Sequence, residues 1–200
     1  MFYETSKNDH GLPFNPFKAI VAPRPIGWIS TLDLQGRANL APYSFFNAVG
    51  DTPPIVVFSS TGYKDTVSNV EETGEFVCNM VSYDLKDAMN ASSAPLPHGM
   101  SEFEAARLEM AECRFVKAPR VAAAYSALEC KLLKAENIRD LDGKETGSHV
   151  VFGQVVAIHI KDEVLTDGRF DVTKVRPLSR LGYKDYAVVN EVFEMGRPGG

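Results

Sequence analysis

The chain has 200 residues, enough for one domain with a sizeable core. Its 44% hydrophobic and 24% charged residues mark it as globular, and a net charge of −5 disfavours non-specific nucleic-acid or anionic-membrane binding. No apolar run approaches the roughly 20 residues of a membrane span, and no basic start followed by an apolar stretch marks a secretory signal, so a cytoplasmic protein is expected.

Residues 1–16 read as an arm interrupted by Pro13 and Pro16. Ile26 to Leu32, rich in β-branched and aromatic residues, is predicted as a strand, and Asp33-Leu34-Gln35-Gly36 as the turn after it. Asn39 to Asn47 is predicted as a second strand, antiparallel to the first. Ile55-Val56-Val57-Phe58-Ser59 suits a central barrel strand. Lys64 to Glu72 changes to helical character, with Asp65 as the expected cap and Gly74 as a left-handed stop. Glu75 to Val81 returns to strand, and Tyr83 to Ala91 reads as a helix. A Pro/Gly-rich loop holding His98 follows, then a single helical turn at Glu102 to Ala106. Leu128 to Leu132 alternates with period two. Val150 to Ile160 is the strongest strand pattern, its even positions the more uniformly apolar and expected to be the buried face. Residues 196–200 form a loose tail, leaving 17–195 as the domain. Short strands separated by turns, with helices inserted, suggest a mainly β Greek-key barrel, and no GxGxxG follows a strand.

Cys78, Cys113 and Cys130 are odd in number and form no CxxC. Free thiols are expected, and no metal site. No GxSxG elbow or HExxH occurs either. The chemistry-bearing stretch runs from Arg24 to Thr73. Ser59, Ser60, Gly62 and Lys64-Asp65-Thr66 place hydroxyls and one cation at a helix start, which suits a phosphate, although a capped helix with a solvated lysine explains them too. Ala41-Pro42-Tyr43-Ser44-Phe45-Phe46-Asn47 suits a flat ring approached by backbone. Together they indicate a phosphorylated ring cofactor.

These segments, with Arg24-Pro25-Ile26-Gly27-Trp28-Ile29-Ser30-Thr31, Thr73 to Asn79 and Pro177-Leu178-Ser179-Arg180-Leu181-Gly182, resemble the flavin reductase-like, FMN-binding split-barrel family over roughly residues 17–187. The resemblance implies a homodimeric six-stranded split barrel with FMN near the subunit interface. It implies hydride transfer from NADH or NADPH to the flavin, and release of electrons to oxygen, a partner monooxygenase or another acceptor. An FMN-binding electron carrier or flavin-storage protein is the alternative. Cofactor contacts are then expected from Ser30, Thr31, Ala41, Pro42, Tyr43, Ser44, Phe45, Phe46, Asn47, Ser59, Lys64, Thr66 and Arg180, with Asp65 beside them in a capping role. Arg24 reaches either a phosphate or a salt bridge, and His98 either covers the flavin or faces solvent. Trp28 is expected to pack. No catalytic side chain beyond the flavin is expected, since the protein positions and polarises more than it donates protons.

Overall fold

The computed structural model describes residues 1–96 and 100–199. A first hairpin joins β2 (Gly27–Leu32) to β3 (Ala38–Tyr43), with Gly27 opposite Tyr43 and Leu32 opposite Ala38. Asp33 fixes the turn by accepting from the N–H groups of Gln35 (2.9 Å) and Arg37 (2.8 Å), while Gly36 supplies the positive φ of 80°. A second hairpin joins β4 (Phe46–Asp51) to β5 (Pro54–Thr61). Then come α2 (Asp65–Thr73), β6 (Glu75–Met80) and the long hairpin of β9 (Ser126–Arg139) with β10 (Glu145–Ile160). All seven strands form one antiparallel sheet in the order β3-β2-β6-β9-β10-β5-β4.

The predicted strand Asn39 to Asn47 is in fact two. It breaks at Ser44-Phe45, which is why the sheet has seven strands where six were expected. β3 lies at one edge of the sheet and β4 at the other, so two residues connect opposite edges. Opposite edges can be so joined only in a sheet curled on itself, and since β3 and β4 do not pair the result is a split barrel. The Ser59 N–H donates to the Phe45 carbonyl (2.8 Å) and ties the link to β5.

Ile29, Tyr43, Val56, Phe58, Phe76, Cys78, Cys130, Val151 and Val155 fill the interior, and Val70 of α2 packs into the same cluster. Gly153 lies where the Phe76 ring must pass, since a Cβ there would come within 2.3 Å of that ring. The inward residues of β10 are therefore odd-numbered: Val151, Gly153 and Val155 are buried, whereas Val150, Phe152 and Val156 are half-exposed. This inverts the expected facing. Val150, Phe152 and Val156, with the cross-strand partner Val57, line the outer face of the sheet, and a bulge between Val155 and Ala157 shifts the alternation beyond them.

A second cluster encloses Trp28 and Leu40 beneath α3 (Lys86–Ala91) and α4 (Glu102–Ala105). Trp28 is fully enclosed, and its indole donates to Ser92 Oγ (2.9 Å). α2 starts one residue earlier than predicted: Lys64 is the N-cap, without a side-chain bond, and Asp65 is the first helical residue. Gly74 (φ 72°) ends it as expected. Small pairs complete the fold: β7 (Met110–Ala111) with β8 (Arg120–Val121), and β11 (Leu165–Thr166) with β12 (Arg169–Phe170). α5 (Val172–Val175) leads into β13 (Leu178–Arg180), which lies between β1 (Arg24–Pro25) and β14 (Tyr186–Val188). Among the described residues, no helix is long and apolar enough to cross a membrane.

Candidate functional site

The β1–β13 pairing places Arg24 directly opposite Arg180. Arg24 is buried, and its guanidinium donates to the carbonyls of Lys18, Val21 and Leu181 (2.6 Å for the last). Its Nε is buried without a partner. Burial, and then the positive charge of Arg180, pull the Arg24 guanidinium below its usual value. Among the described residues neither arginine makes an ion pair with a carboxylate. Two adjacent cations are thus held together by carbonyl oxygens and, among the described residues, without a carboxylate to neutralise them.

Both line an open cavity of about 780 Å³. Lys18 of α1 (Phe17–Ile20) adds a third cation, and Ser44 of the barrel link adds a hydroxyl. Phe14, Phe17 and Tyr183 supply flat apolar surface, with the Phe14 and Tyr183 rings 5.7 Å apart. Phe45, exposed beside Ser44, has Lys18 Nζ and the Arg24 guanidinium each 5.9 Å from its ring centre. Gly182 keeps this wall closed, because a Cβ there would meet Ala19 at 2.4 Å.

Only part of the expected contact set gathers here: Ser44 and Arg180, with Phe45 alongside. Ser30 and Thr31 are fully buried and their hydroxyls are engaged internally. Ser30 donates to the Pro119 carbonyl and accepts from Asn79 (3.0 Å), and Thr31 accepts from Asn69 (3.0 Å). Thr66 is likewise buried and accepts from Asn39 (2.8 Å). Thr31 and Thr66 tie α2 to the β2–β3 hairpin, Ser30 ties β2 to β6 and to Pro119, and none of the three hydroxyls is open to a ligand. The Tyr43 ring packs 4.9 Å from Phe58 inside the barrel, its hydroxyl buried without a partner, and burial pushes its phenol up. Phe46 lines a separate apolar cavity of about 300 Å³ with Ile26, Cys78 and Met80. Asp65 lines an acidic cavity of about 530 Å³ with Asp33, Glu72, Glu102 and Glu104. Ala41, Pro42 and Ser59 are half-exposed, and Lys64 and Asn47 are exposed. His98 lies outside the described residues.

The arm supplies what sequence reading missed. Tyr3, Thr5, Asn8, Phe14 and Asn15 fold back over the cavity together with Lys18. The signal was the aromatic and amide content of the arm, in Tyr3, Asn8, Phe14 and Asn15.

The fold also assembles a cluster that spacing did not show. Cys113, Glu129 and His159 converge, with Glu129 Oε1 2.6 Å from His159 Nε2. Glu129 is fully buried and accepts the N–H groups of Arg114 (2.9 Å), Phe115 (2.6 Å) and Val116 (3.1 Å). Burial alone would raise its carboxyl, but these N–H groups and His159 outweigh that and hold it below the usual range. Burial, and then the charge of Glu129, push the Cys113 thiol up to about 11, so it is no activated nucleophile.

A model of the flavin reductase like domain matches residues 21–184. The chain belongs to that family. This flavin reductase-like chain is 41% identical over 173 residues to an uncharacterized protein of Aquifex aeolicus, covering 84% of this chain and 85% of that one. Among solved structures it is similar to nitrilotriacetate monooxygenase component B from Bacillus cereus, at 29% identity and TM-score 0.88, with 98% of each chain covered. It is similar also to 2-nitrobenzoate 2-nitroreductase of Pseudomonas fluorescens, at 29% identity and TM-score 0.86, covering 100% of this chain and 97% of that one.

Proposed function

We propose that this flavin reductase-like chain binds FMN in the arm-covered cavity and accepts hydride for it from NADH or NADPH. The observation that carries the reading is the Arg24–Arg180 pair, two guanidiniums without a carboxylate beside an aromatic-walled opening. A dianionic phosphate relieves their repulsion. Lys18 adds charge, Ser44, Asn8 and Asn15 offer partners for a polyhydroxyl chain, and Phe14, Phe17 and Tyr183 offer surface for a flat ring. The residues present fit the group.

Held there by Arg24, Arg180 and Lys18, FMN would supply the two-electron redox chemistry between a nicotinamide donor and an electron acceptor. The chain's own work is to bind, orient and exclude water. Arg24 is anchored through three carbonyls, so its charge costs little reorganisation when negative charge arrives nearby. We place two such chains in a homodimer, because the half-exposed apolar residues Val57, Val150, Phe152 and Val156 share one outer sheet face. The likeness to a monooxygenase component B supports a partner monooxygenase as the electron acceptor, and the absence of any span-like apolar run supports a cytoplasmic setting.

The deciding experiment mixes protein and FMN anaerobically with NADH, and separately with NADPH, in a stopped-flow spectrometer. Rapid bleaching of the flavin band with one donor is expected. Bound flavin that stays oxidised with both would replace the reductase with an electron carrier, and failure to bind FMN would overturn the cavity assignment.

A further inference from the structure

Glu129 and His159 lie on neighbouring strands β9 and β10. His159 stands opposite Ala127, so the two side chains are diagonal neighbours on one sheet face. Cys113 comes to them from the segment after β7, and its place is fixed by Glu129 itself, whose carboxylate clamps the next three backbone N–H groups, of Arg114, Phe115 and Val116. The thiol sulfur, a carboxylate oxygen and an imidazole nitrogen thus lie within 4.8 Å of one another. Glu129 is buried, while Cys113 and His159 are partly open. Glu129 and His159 also line a cavity of about 530 Å³, with Arg114, Arg120 and Lys161 on its walls.

We propose that Cys113, Glu129 and His159 form a binding site for a thiophilic divalent metal ion, zinc being the closest fit. The donor set is one zinc accepts, with Zn–S near ~2.3 Å and Zn–N and Zn–O near ~2.0 Å. Donors sharing one zinc sit about 3–4 Å apart, so the sulfur has to close in by about 1 Å, while Oε1 and Nε2, now 2.6 Å apart, have to separate by less than about 1 Å to admit the ion. All four acceptor directions of the Glu129 carboxylate are used, three by backbone N–H groups and one by His159. The metal takes the place of the proton between Oε1 and Nε2, and the three N–H bonds remain as the shell that orients the ligand. A thiolate and a carboxylate balance the dication. Three protein ligands leave a fourth position open, and the three basic side chains of the cavity favour an anion there. The site lies apart from the residues assigned to FMN and is independent of that assignment.

The test uses the full chain without an affinity tag, stripped by a chelator and titrated with cobalt(II). Difference spectra are taken against the metal-free sample with the same flavin content. One equivalent of cobalt should bind with a thiolate-to-cobalt charge-transfer band and tetrahedral visible bands, and zinc should displace it. Cys113→Ser and His159→Gln should each weaken binding about 100-fold or more. Cys113→Ser should abolish the charge-transfer band while its far-UV circular dichroism and metal-free Tm stay near those of the parent. Absence of stoichiometric binding would overturn the proposal, as would a charge-transfer band that survives in the Cys113→Ser variant.

Discussion

Arg180 makes one side-chain hydrogen bond, to the Tyr183 carbonyl, and stacks 4.4 Å from the Tyr186 ring, so removing it leaves little unsatisfied. Its charge next to Arg24 is what an anion would feel. Arg180→Ala should weaken FMN about 10- to 100-fold, the worth of one charge-assisted contact, and riboflavin much less. Fluorescence titrations with the two flavins check this. Lys64→Ala run in parallel decides whether the exposed lysine at the start of α2 shares the task. Asp171 is a residue of a different kind. It caps α5, and hydrogen bonds from the hydroxyls of Thr173 and Thr166, ahead of those from the N–H groups of Thr173 and Lys174, pull its carboxyl down to about 2. The folded value is depressed, so the stabilisation is complete above the ordinary aspartate range and fades as pH falls through 2. Asp171→Asn should therefore unfold at lower urea than the parent at pH 7, and the gap should close toward pH 2. Ser30 and Thr31 show where residue-level reading stops. A hydroxyl on a strand is equally suited to a ligand or to a buried amide, and Asn79 and Asn69, 49 and 38 residues away in sequence, decide the matter.

At the scale of elements, some boundaries were legible because hairpin turns and a left-handed glycine announce themselves: Asp33 to Gly36 and Gly74 act as their chemistry dictates, although Leu128 to Leu132 marks only part of β9. The break at Ser44-Phe45 was not, since no glycine or proline falls at the break and the pattern runs through it. Closure of the barrel makes that break, and closure is a property of strands far apart in sequence. The facing of β10 was misread for a similar reason. Alternation tells that two faces differ, and Phe76 of another strand, needing the space at Gly153, decides which one is inside. Gly182 offers a direct test of how elements shape the cavity. A methyl group there collides with the backbone of α1, with Ala19 Cα at 2.7 Å, so Gly182→Ala must push α1 and Lys18 outward. Stability should fall by about 1–3 kcal/mol in chemical denaturation, and flavin affinity should fall with it.

For the whole molecule, the outer sheet face carries the argument. Val57 and Phe152 are cross-strand partners on it, and Val156 continues the patch. Phe152→Glu places a charge at its middle, which costs little in solvent and much in an interface. Sedimentation velocity should find a dimer for the parent and a monomer for the variant, with the circular dichroism unchanged. The two-residue link between sheet edges has a kinetic meaning too. A sheet clasped in this way cannot loosen strand by strand from its ends, because both edges are moored to the same short stretch of chain. The Ser59 amide, bonded to the Phe45 carbonyl, is the latch of that clasp. In hydrogen–deuterium exchange it should keep its proton as long as the innermost strands do, and the day it exchanges early in a variant, the barrel has learned to open.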